Sequence, residues 1–514
     1  MKLFRSLALA LSVAVFVLPS HAQELDLIVR GGSLIDGSGA PAVRADIGIK
    51  ADRIVFVGAS KGHTAKRTID ANGLIVTPGF IDPHTHTADD LSSPARSRND
   101  AYLMQGVTTV VTGNDGSSPK NIGDTLATWT RQGIGTNAAL FIGQGTVRSE
   151  VIGMTDAKPT PEQIGTMKAL VDTAMNEGAI GLSTGLYYAP GSYSSTEEVI
   201  ELARVAGQHG GLYDTHMRDE SSYNIGLQGA VKETIRIGEE GHIPVMISHI
   251  KTLGADVWGQ SADVIDIIDK ARARGVKITA SQYPYTASGT SVSASLVPRW
   301  AEAGGHEALL KNLSDPAQHE RLVAEMTRNL ERRGGAETLL MTSTKDKTIL
   351  GKTLAAIATE RKVSPVDAAI EIVRNGDAGV ASFNMKESDI EAFMKQDWMM
   401  TCSDGSDGHP RKYGTFPRKI HTYVFERHVV PLEFAIRSST SLTAQTLGLK
   451  DRGLLKPGYF ADVLVFDPRT FNEKATYEAP TELATGVHYL LVNGKLAIDQ
   501  EKLTSALAGR ALTH

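Results

Sequence analysis

Two textures of hydrophobic patterning alternate along the chain. Short apolar and β-branched runs, "LDLIVRGGSLIDGSG", "ADIGIKADRIVFVGA" and "RTIDANGLIVTPGF", are cut by Gly, Asp and Asn in the manner of hairpin strands. Near the other end "GLLKPGYFADVLVFDPRTF" and "GVHYLLVNGKLAID" repeat that texture. This predicts one small β-sandwich domain assembled from residues 23–78 and 450–514. Between them, apolar strand-like runs alternate with helical segments. Eight strands are predicted, at "GLIVTPGFIDPHTH", "GVTTVVTGNDG", "AALFIGQGTVR", "GAIGLSTGL", "GLYDTHMRDE", "IPVMISHIK", "VKITASQYPY" and "DWMMTCSDG". Eight β/α repeats over residues 79–449 predict an α/β fold, a (β/α)8 TIM-type barrel, in which catalytic groups collect where strands end.

Helix signals support the alternation. "STEEVIELARVAGQHG" opens on Ser and Thr before a Glu pair and stops at Gly. Between the seventh and eighth strands, "GGHEALLKNLSDPAQHERLVAEMTRNLERRGG" predicts an inserted helical subdomain at about 300–351, walling one side of the active site. Its charges read as a solvated helix face.

Composition narrows the function. The 514 residues are 41% hydrophobic and 22% charged, as in a folded globular protein. A net charge of -5 gives no attraction to phosphate backbones, so no nucleic-acid partner is expected. The first residues, "MKLFRSLALALSVAVFVLPSHAQ", carry Lys2 and Arg5, an apolar run from Leu7 to Leu18, then Pro19 and a small-residue site. That is the pattern of a secretory signal cleaved after Ala22, and it predicts a periplasmic or secreted mature protein. The run falls short of the ~20 residues a spanning helix needs, so no membrane span is expected in the mature chain. Cys402 is the single cysteine, which excludes an internal disulfide. Nothing in the pattern speaks to oligomeric state.

Chemistry gathers at the strand ends. His84 and His86 follow the first strand, and alternation turns both imidazoles to one side. His216 ends the fifth strand, His249 the sixth, and Asp404 the eighth. Imidazole nitrogen and carboxylate oxygen are ligands that Zn²⁺ accepts, with one position left open for catalysis. Such an ion lowers the pKa of a bound water from ~15.7 towards ~7. Asp404 is placed to accept the proton from that water and return it to a leaving nitrogen.

These residues carry a resemblance. "GFIDPHTH" followed by His216, His249 and Asp404 resembles the metal-dependent amidohydrolase superfamily. More narrowly, "GAIGLSTGLYYAPG", "YDTHMR", "SHIKTLG", "YPYTASGT" and "SDGSDGHPRKYGTFPR" resemble the N-acyl-D-amino-acid deacylases, or D-aminoacylases, across nearly the whole mature chain. The resemblance implies hydrolysis of a small-molecule N-acyl-D-amino acid to a carboxylate and a D-amino acid. His216 and His249 would hold the principal zinc and His84 and His86 a weaker or second one. Asp404 would serve as acid and base. Lys251, Tyr283, Ser288 and Arg411 match positions that hold the substrate carboxylate, and Arg411 has the planar fork for it. Tyr188 is expected to line the pocket. The neighbouring alternatives are a dipeptidase or cyclic-amide hydrolase of the same superfamily, and a metal-poor relative that binds without hydrolysis.

One departure stands out. The family carries a metal-binding cysteine after strand two, where this chain reads "TGNDGSS" with Asp115. A carboxylate also ligates or bridges zinc but favours harder ions, which leaves open one ion or two and another divalent metal. A turn role for the Asp-Gly pair stands beside that reading. Glu150 is a reserve carboxylate, and Arg299 reads either as a group for an acidic substrate side chain or as a surface arginine at the start of the insertion. "GLSTG", residues 181–185, fits the nucleophile elbow of serine hydrolases, but no helix follows it, so Ser183 is not read as a nucleophile. "GKT" at 351–353 lacks the glycine of a phosphate-binding loop at Asp346 and reads as a helix start.

Overall fold

The structure, a computed structural model, describes residues 24–514, and the export signal read at 1–22 lies outside them. Eight parallel strands follow the predicted order. They are β1 Phe80–Asp82, β2 Val107–Thr112, β3 Asn137–Leu140 continuing as Ile142–Gly143, β4 Gly181–Gly185, β5 Leu212–His216, β6 Val245–Ile247, β7 Ile278–Gln282 and β8 Met399–Thr401. Each pairs in parallel with the next. The Thr85–Gly405 bridge, with the Asp404 amide donating to the His84 carbonyl at 3.0 Å, joins β8 back to β1 and closes a TIM-type barrel.

One residue from most strands, among them Ile81, Val111, Ala139, Leu212, Met246 and Met400, fills the barrel interior, and Leu442, Ala444 and Leu447 pack onto that layer. The surrounding helices form for the reasons the sequence states. In Thr196–Gln208, Ser195 accepts the Glu198 amide as N-cap, and Val199, Leu202, Ala203 and Ala206 recur at helical spacing on the buried face. Thr353, in the "GKT" stretch, caps the helix Leu354–Arg361 by accepting the Ala356 amide.

The two chain ends share one nine-stranded sheet. Ile75–Pro78 pairs in parallel with Leu25–Leu34 and antiparallel with Val463–Phe466, over a core that includes Leu27, Ile47, Ile54, Val463 and Leu491. The last residues leave this sheet: Gly509 and Ala511 bridge Ile134 and Ala138 at the start of β3. That part of 450–514 therefore packs on the base of the barrel.

The segment between β7 and β8 differs from a purely helical insertion at 300–351. It runs from Ala287 to Phe383 and combines helices, the longest being Pro316–Arg332, with a three-stranded antiparallel sheet of Ala287–Ser291, Gly379–Phe383 and Leu339–Ser343. Those strands, "ASGTS", "GVASF" and "LLMTS", are short and rich in small residues, so they show little alternation. The insertion has its own hydrophobic core, with Leu309, Met326, Leu339, Ile357 and Val373, distinct from that of the barrel. Among the described residues no helix is long and apolar enough to cross a membrane.

Candidate metal centre

The six predicted donors meet at the C-terminal mouth of the barrel. They form two groups, His84, His86, Asp115 and Asp404, and Asp115, His216 and His249, with the donor atoms of each group within 4.8 Å of one another. Asp115 belongs to both. Its Oδ1 lies 3.4 Å from His84 Nε2, 3.7 Å from His216 Nδ1 and 3.3 Å from His249 Nε2, while Oδ2 is 3.5 Å from His86 Nε2. Asp404 Oδ1 is 3.1 Å from His86 Nε2 and 3.6 Å from His84 Nε2.

Three of the six donors sit in left-handed backbone: Asp115 at φ 56°, His249 at φ 35° and Asp404 at φ 48°. Non-glycine residues with positive φ are uncommon, and such strain concentrates at functional sites. The Asp115 turn is fixed by β4. Ser183 Oγ donates to the Gly113 carbonyl and accepts the Gly116 amide at 3.2 Å, holding the turn on both sides of Asp115. At Gly185 a Cβ would lie 2.2 Å from the Asp115 carbonyl oxygen, so only glycine admits the loop. The serine of "GLSTG" is thus fully buried and positions a donor.

Hydrogen bonds behind the donors set the imidazole tautomers. His84 Nδ1 lies 2.7 Å from Ser248 Oγ, and that hydroxyl donates to Asp214, so Nδ1 carries the proton and Nε2 presents a lone pair. Burial raises the Asp214 carboxyl to about 6. Glu220 stands behind two further histidines, with Lys251 Nζ at 2.8 Å competing for His249 Nδ1. Its Oε1 is 3.2 Å from His249 Nδ1 and its Oε2 3.6 Å from His216 Nε2. Although burial opposes it, Lys251 at 2.6 Å and the two imidazoles hold the Glu220 carboxyl down to about 2. The sequence reading missed Glu220. The signal available was its place four residues after His216 in "HMRDE".

The donor set fits a divalent ion. His84 Nε2 and His216 Nδ1 are buried without any hydrogen-bond partner, one in each group, and an unsatisfied buried nitrogen is costly unless something ligates it. Burial and the neighbouring His249 also hold both imidazoles below their ordinary pKa, which favours the neutral, ligating form; nearby carboxylates pull the other way.

The substrate-facing predictions converge on one cavity of about 730 Å³ over these donors, lined among others by Tyr188, Lys251, Tyr283, Ser288 and Arg411. Arg411 Nη1 is paired with Asp404 Oδ2 at 2.7 Å, its guanidinium lies 4.5 Å over the Tyr283 ring, and its Nε has no acceptor. Against burial, Arg411 and the histidines keep Asp404 well below the usual carboxylate range. Lys251 is tied to Glu220 and lies 2.8 Å from His249 Nδ1, so it supports the metal donors as well as facing the cavity. Ser288 Oγ donates to Asn384 at 3.2 Å, and the Tyr188 ring meets His216 edge-on at 4.8 Å.

Two expectations change. Glu150 lines the cavity but pairs with Lys120 at 2.6 Å and joins neither donor group. Arg299 is not among the residues lining the cavity; it pairs with Glu302 and stacks on the outer side of Tyr187, whose ring it approaches to 4.5 Å.

A family model described as the amidohydrolase family matches residues 67–498. The chain belongs to the amidohydrolase family. It is 36% identical over 522 residues to a D-aminoacylase of Alcaligenes xylosoxydans xylosoxydans, covering 96% of this chain and 99% of that one. An N-acyl-D-glutamate deacylase of the same organism is 33% identical, over 92% of this chain and 93% of its own. Among solved structures, an N-acyl-D-glutamate deacylase from Bordetella bronchiseptica, complexed with zinc and a phosphonate mimic of the tetrahedral intermediate, superposes with a TM-score of 0.83. It is 31% identical, and the match covers 96% of this chain and all of that one. Hydantoinases at 15–16% identity, with TM-scores of 0.55–0.57, share the fold alone.

Proposed function

We propose that this amidohydrolase is a zinc-dependent deacylase that hydrolyses the amide of N-acyl-D-amino acids to a carboxylate and a free D-amino acid. The observation that carries the reading is the pair of donor groups sharing Asp115, with Asp404 on one side and the Arg411 guanidinium beside it, in a chain that aligns with deacylases over nearly its full length. His84, His86, Asp115, His216 and His249 would hold the metal, and one ion or two fit the shared carboxylate. When bound, the metal lowers the pKa of a water and polarises the amide carbonyl.

The chain's own residues supply the rest. Asp404, ionised at rest, accepts the proton of the attacking water and delivers it to the departing nitrogen. The Arg411 guanidinium, which lines the cavity with Ser288 and Tyr283, would give charge-assisted bonds to the substrate α-carboxylate. A carboxylate arriving at Arg411 shares the guanidinium with Asp404. That sharing weakens the pull on Asp404 and makes it a better proton acceptor once substrate is in place.

The test is turnover of N-acetyl-D-amino acids beside their L-enantiomers, dipeptides and hydantoins, with defined metals. Exclusive hydrolysis of dipeptides or of cyclic amides would replace this reading. Zinc content well below one equivalent, with no activity restored by Zn²⁺ or Co²⁺, would favour a binding protein. The N-terminal stretch supports export, and a mature protein beginning at Gln23 in the periplasm or medium is the expected result of N-terminal sequencing.

A further inference from the structure

The loop that follows β8 carries Arg411 to the cavity, and two residues before it stands a histidine that is only 2% exposed, His409. Its Nδ1 accepts the Arg411 backbone amide at 3.1 Å, and its Nε2 lies 3.2 Å from the Ala287 carbonyl oxygen, which can only accept. Together the two contacts fix one neutral tautomer, with the proton on Nε2. Burial and the Arg411 charge hold this imidazole well below its ordinary pKa, although the Ala287 carbonyl and Asp404 pull the other way.

Both bonds serve the wall that faces a substrate carboxylate. Arg411 opens the helix Arg411–Arg418, so its amide is one of the donors a helix leaves without a partner, and the His409 ring supplies the acceptor. Ala287 begins the strand Ala287–Ser291 of the insertion, and Ser288 and Gly289 of that strand line the cavity with Arg411. The approach is close: a Cβ on Gly289 would lie 3.0 Å from Arg411 Nη2 and 3.3 Å from His409 Cδ2. Ring packing holds the imidazole from outside. Tyr285 meets it edge-on at 5.6 Å, and so does Tyr477 at 5.2 Å, from the connection between the strands Val463–Phe466 and Val487–Val492. The Tyr285 hydroxyl donates to Glu473 at 2.6 Å, and Glu473 also pairs with Arg418 at the end of the Arg411 helix.

We infer that His409 is a positioning residue for the reaction: its imidazole ties the Arg411 peptide to the strand of Ser288 and so sets the spacing at which guanidinium and hydroxyl meet the substrate α-carboxylate. This rests on the deacylase reading above, in which Arg411 takes that carboxylate. His409 is not among the residues lining the cavity, so its effect reaches substrate through Arg411 and Ser288.

The experiment compares N-acetyl-D-leucine with its α-carboxamide, which keeps the scissile amide and loses the charge, in zinc-loaded wild-type and variant enzymes. The readouts are kcat and KM for the acid and the inhibition constant of the carboxamide against it. His409→Ala, which removes both bonds, should raise KM for the acid about 10-fold, change kcat less and leave the carboxamide constant within about twofold. His409→Asn puts an oxygen near the position of Nδ1 and should recover part of the loss, a rescue that a ring serving only as packing would not show. Zinc content and melting temperature are read on the same preparations. Should the His409 variants fail to fold, Tyr477→Leu removes only an outer ring that holds the imidazole, and KM for the acid alone should rise about threefold. Equal losses for acid and carboxamide, or an unchanged KM in the folded variants, would overturn the inference and leave the deacylase reading intact. A wild-type enzyme that turns over no N-acyl-D-amino acid would sink that reading; dissociation constants of the same two ligands by calorimetry then decide the inference, which fails if wild-type protein does not prefer the acid.

Discussion

Asp115→Asn isolates the shared donor. Asparagine keeps the shape of the side chain and tolerates the left-handed φ of 56°, so the change removes charge without adding backbone strain. The carboxylate oxygens lie between 3.3 and 3.7 Å from a nitrogen of each of four histidines, so an ion in either group is in contact with Asp115. Two unit charges about 4 Å apart at an effective dielectric of ~20 attract by about 4 kcal/mol. Since ~1.4 kcal/mol is tenfold in a binding constant, losing one carboxylate charge should weaken metal binding by about 10³-fold. The assay is metal content after gel filtration, with zinc Kd from competition against a chromophoric chelator, and the melting temperature of the metal-free proteins as a control for folding. The variant is expected to lose at least one bound ion and to hold any other far more weakly. A variant that binds the same number of zinc ions with the same Kd would refute the reasoning and return Asp115 to an ordinary Asp-Gly turn.

Other outcomes follow from the same geometry. Asp404→Asn should lower kcat by about 10²- to 10⁴-fold, the range of general acid–base catalysis, while zinc content measured on the same preparation changes little. Ser248→Ala removes the group that fixes the His84 tautomer, and zinc affinity by chelator competition should fall about 10- to 100-fold. Arg148→Met leaves Glu198 buried without its cation, and thermal or denaturant unfolding should show a loss of about 3–5 kcal/mol with the zinc site unchanged once folded.

Much of this was legible because barrel strands are buried on both faces and so read as apolar runs, each ending in the polar residue that serves the site. "YDTHMR" and "MISHIK" show strand and ligand in one phrase. What escaped was polar chemistry hidden in charged stretches. Glu220 and Arg333 lie in "MRDESS" and "LERRGG", where composition alone says solvent; only the packing of distant elements around them makes them buried. Ser183 failed in the opposite direction, since a motif of hydrolytic enzymes proved to be a brace for the Asp115 turn. The small strands of the insertion were silent because Ala, Ser and Gly carry no hydrophobic rhythm.

The insertion's separate core bears on how such an enzyme can change. The candidate metal donors and Asp404 follow strands of the barrel, whereas Ser288, Gly289 and Thr290 of the cavity wall belong to a packed unit with its own apolar centre. Substitutions deep in one unit share few neighbours with the other, and sites without shared partners act nearly additively. Repacking or exchanging the insertion therefore offers a way to redirect substrate choice while the hydrolytic apparatus stays as it is, and a lineage that drifted in this segment would alter its diet before its chemistry.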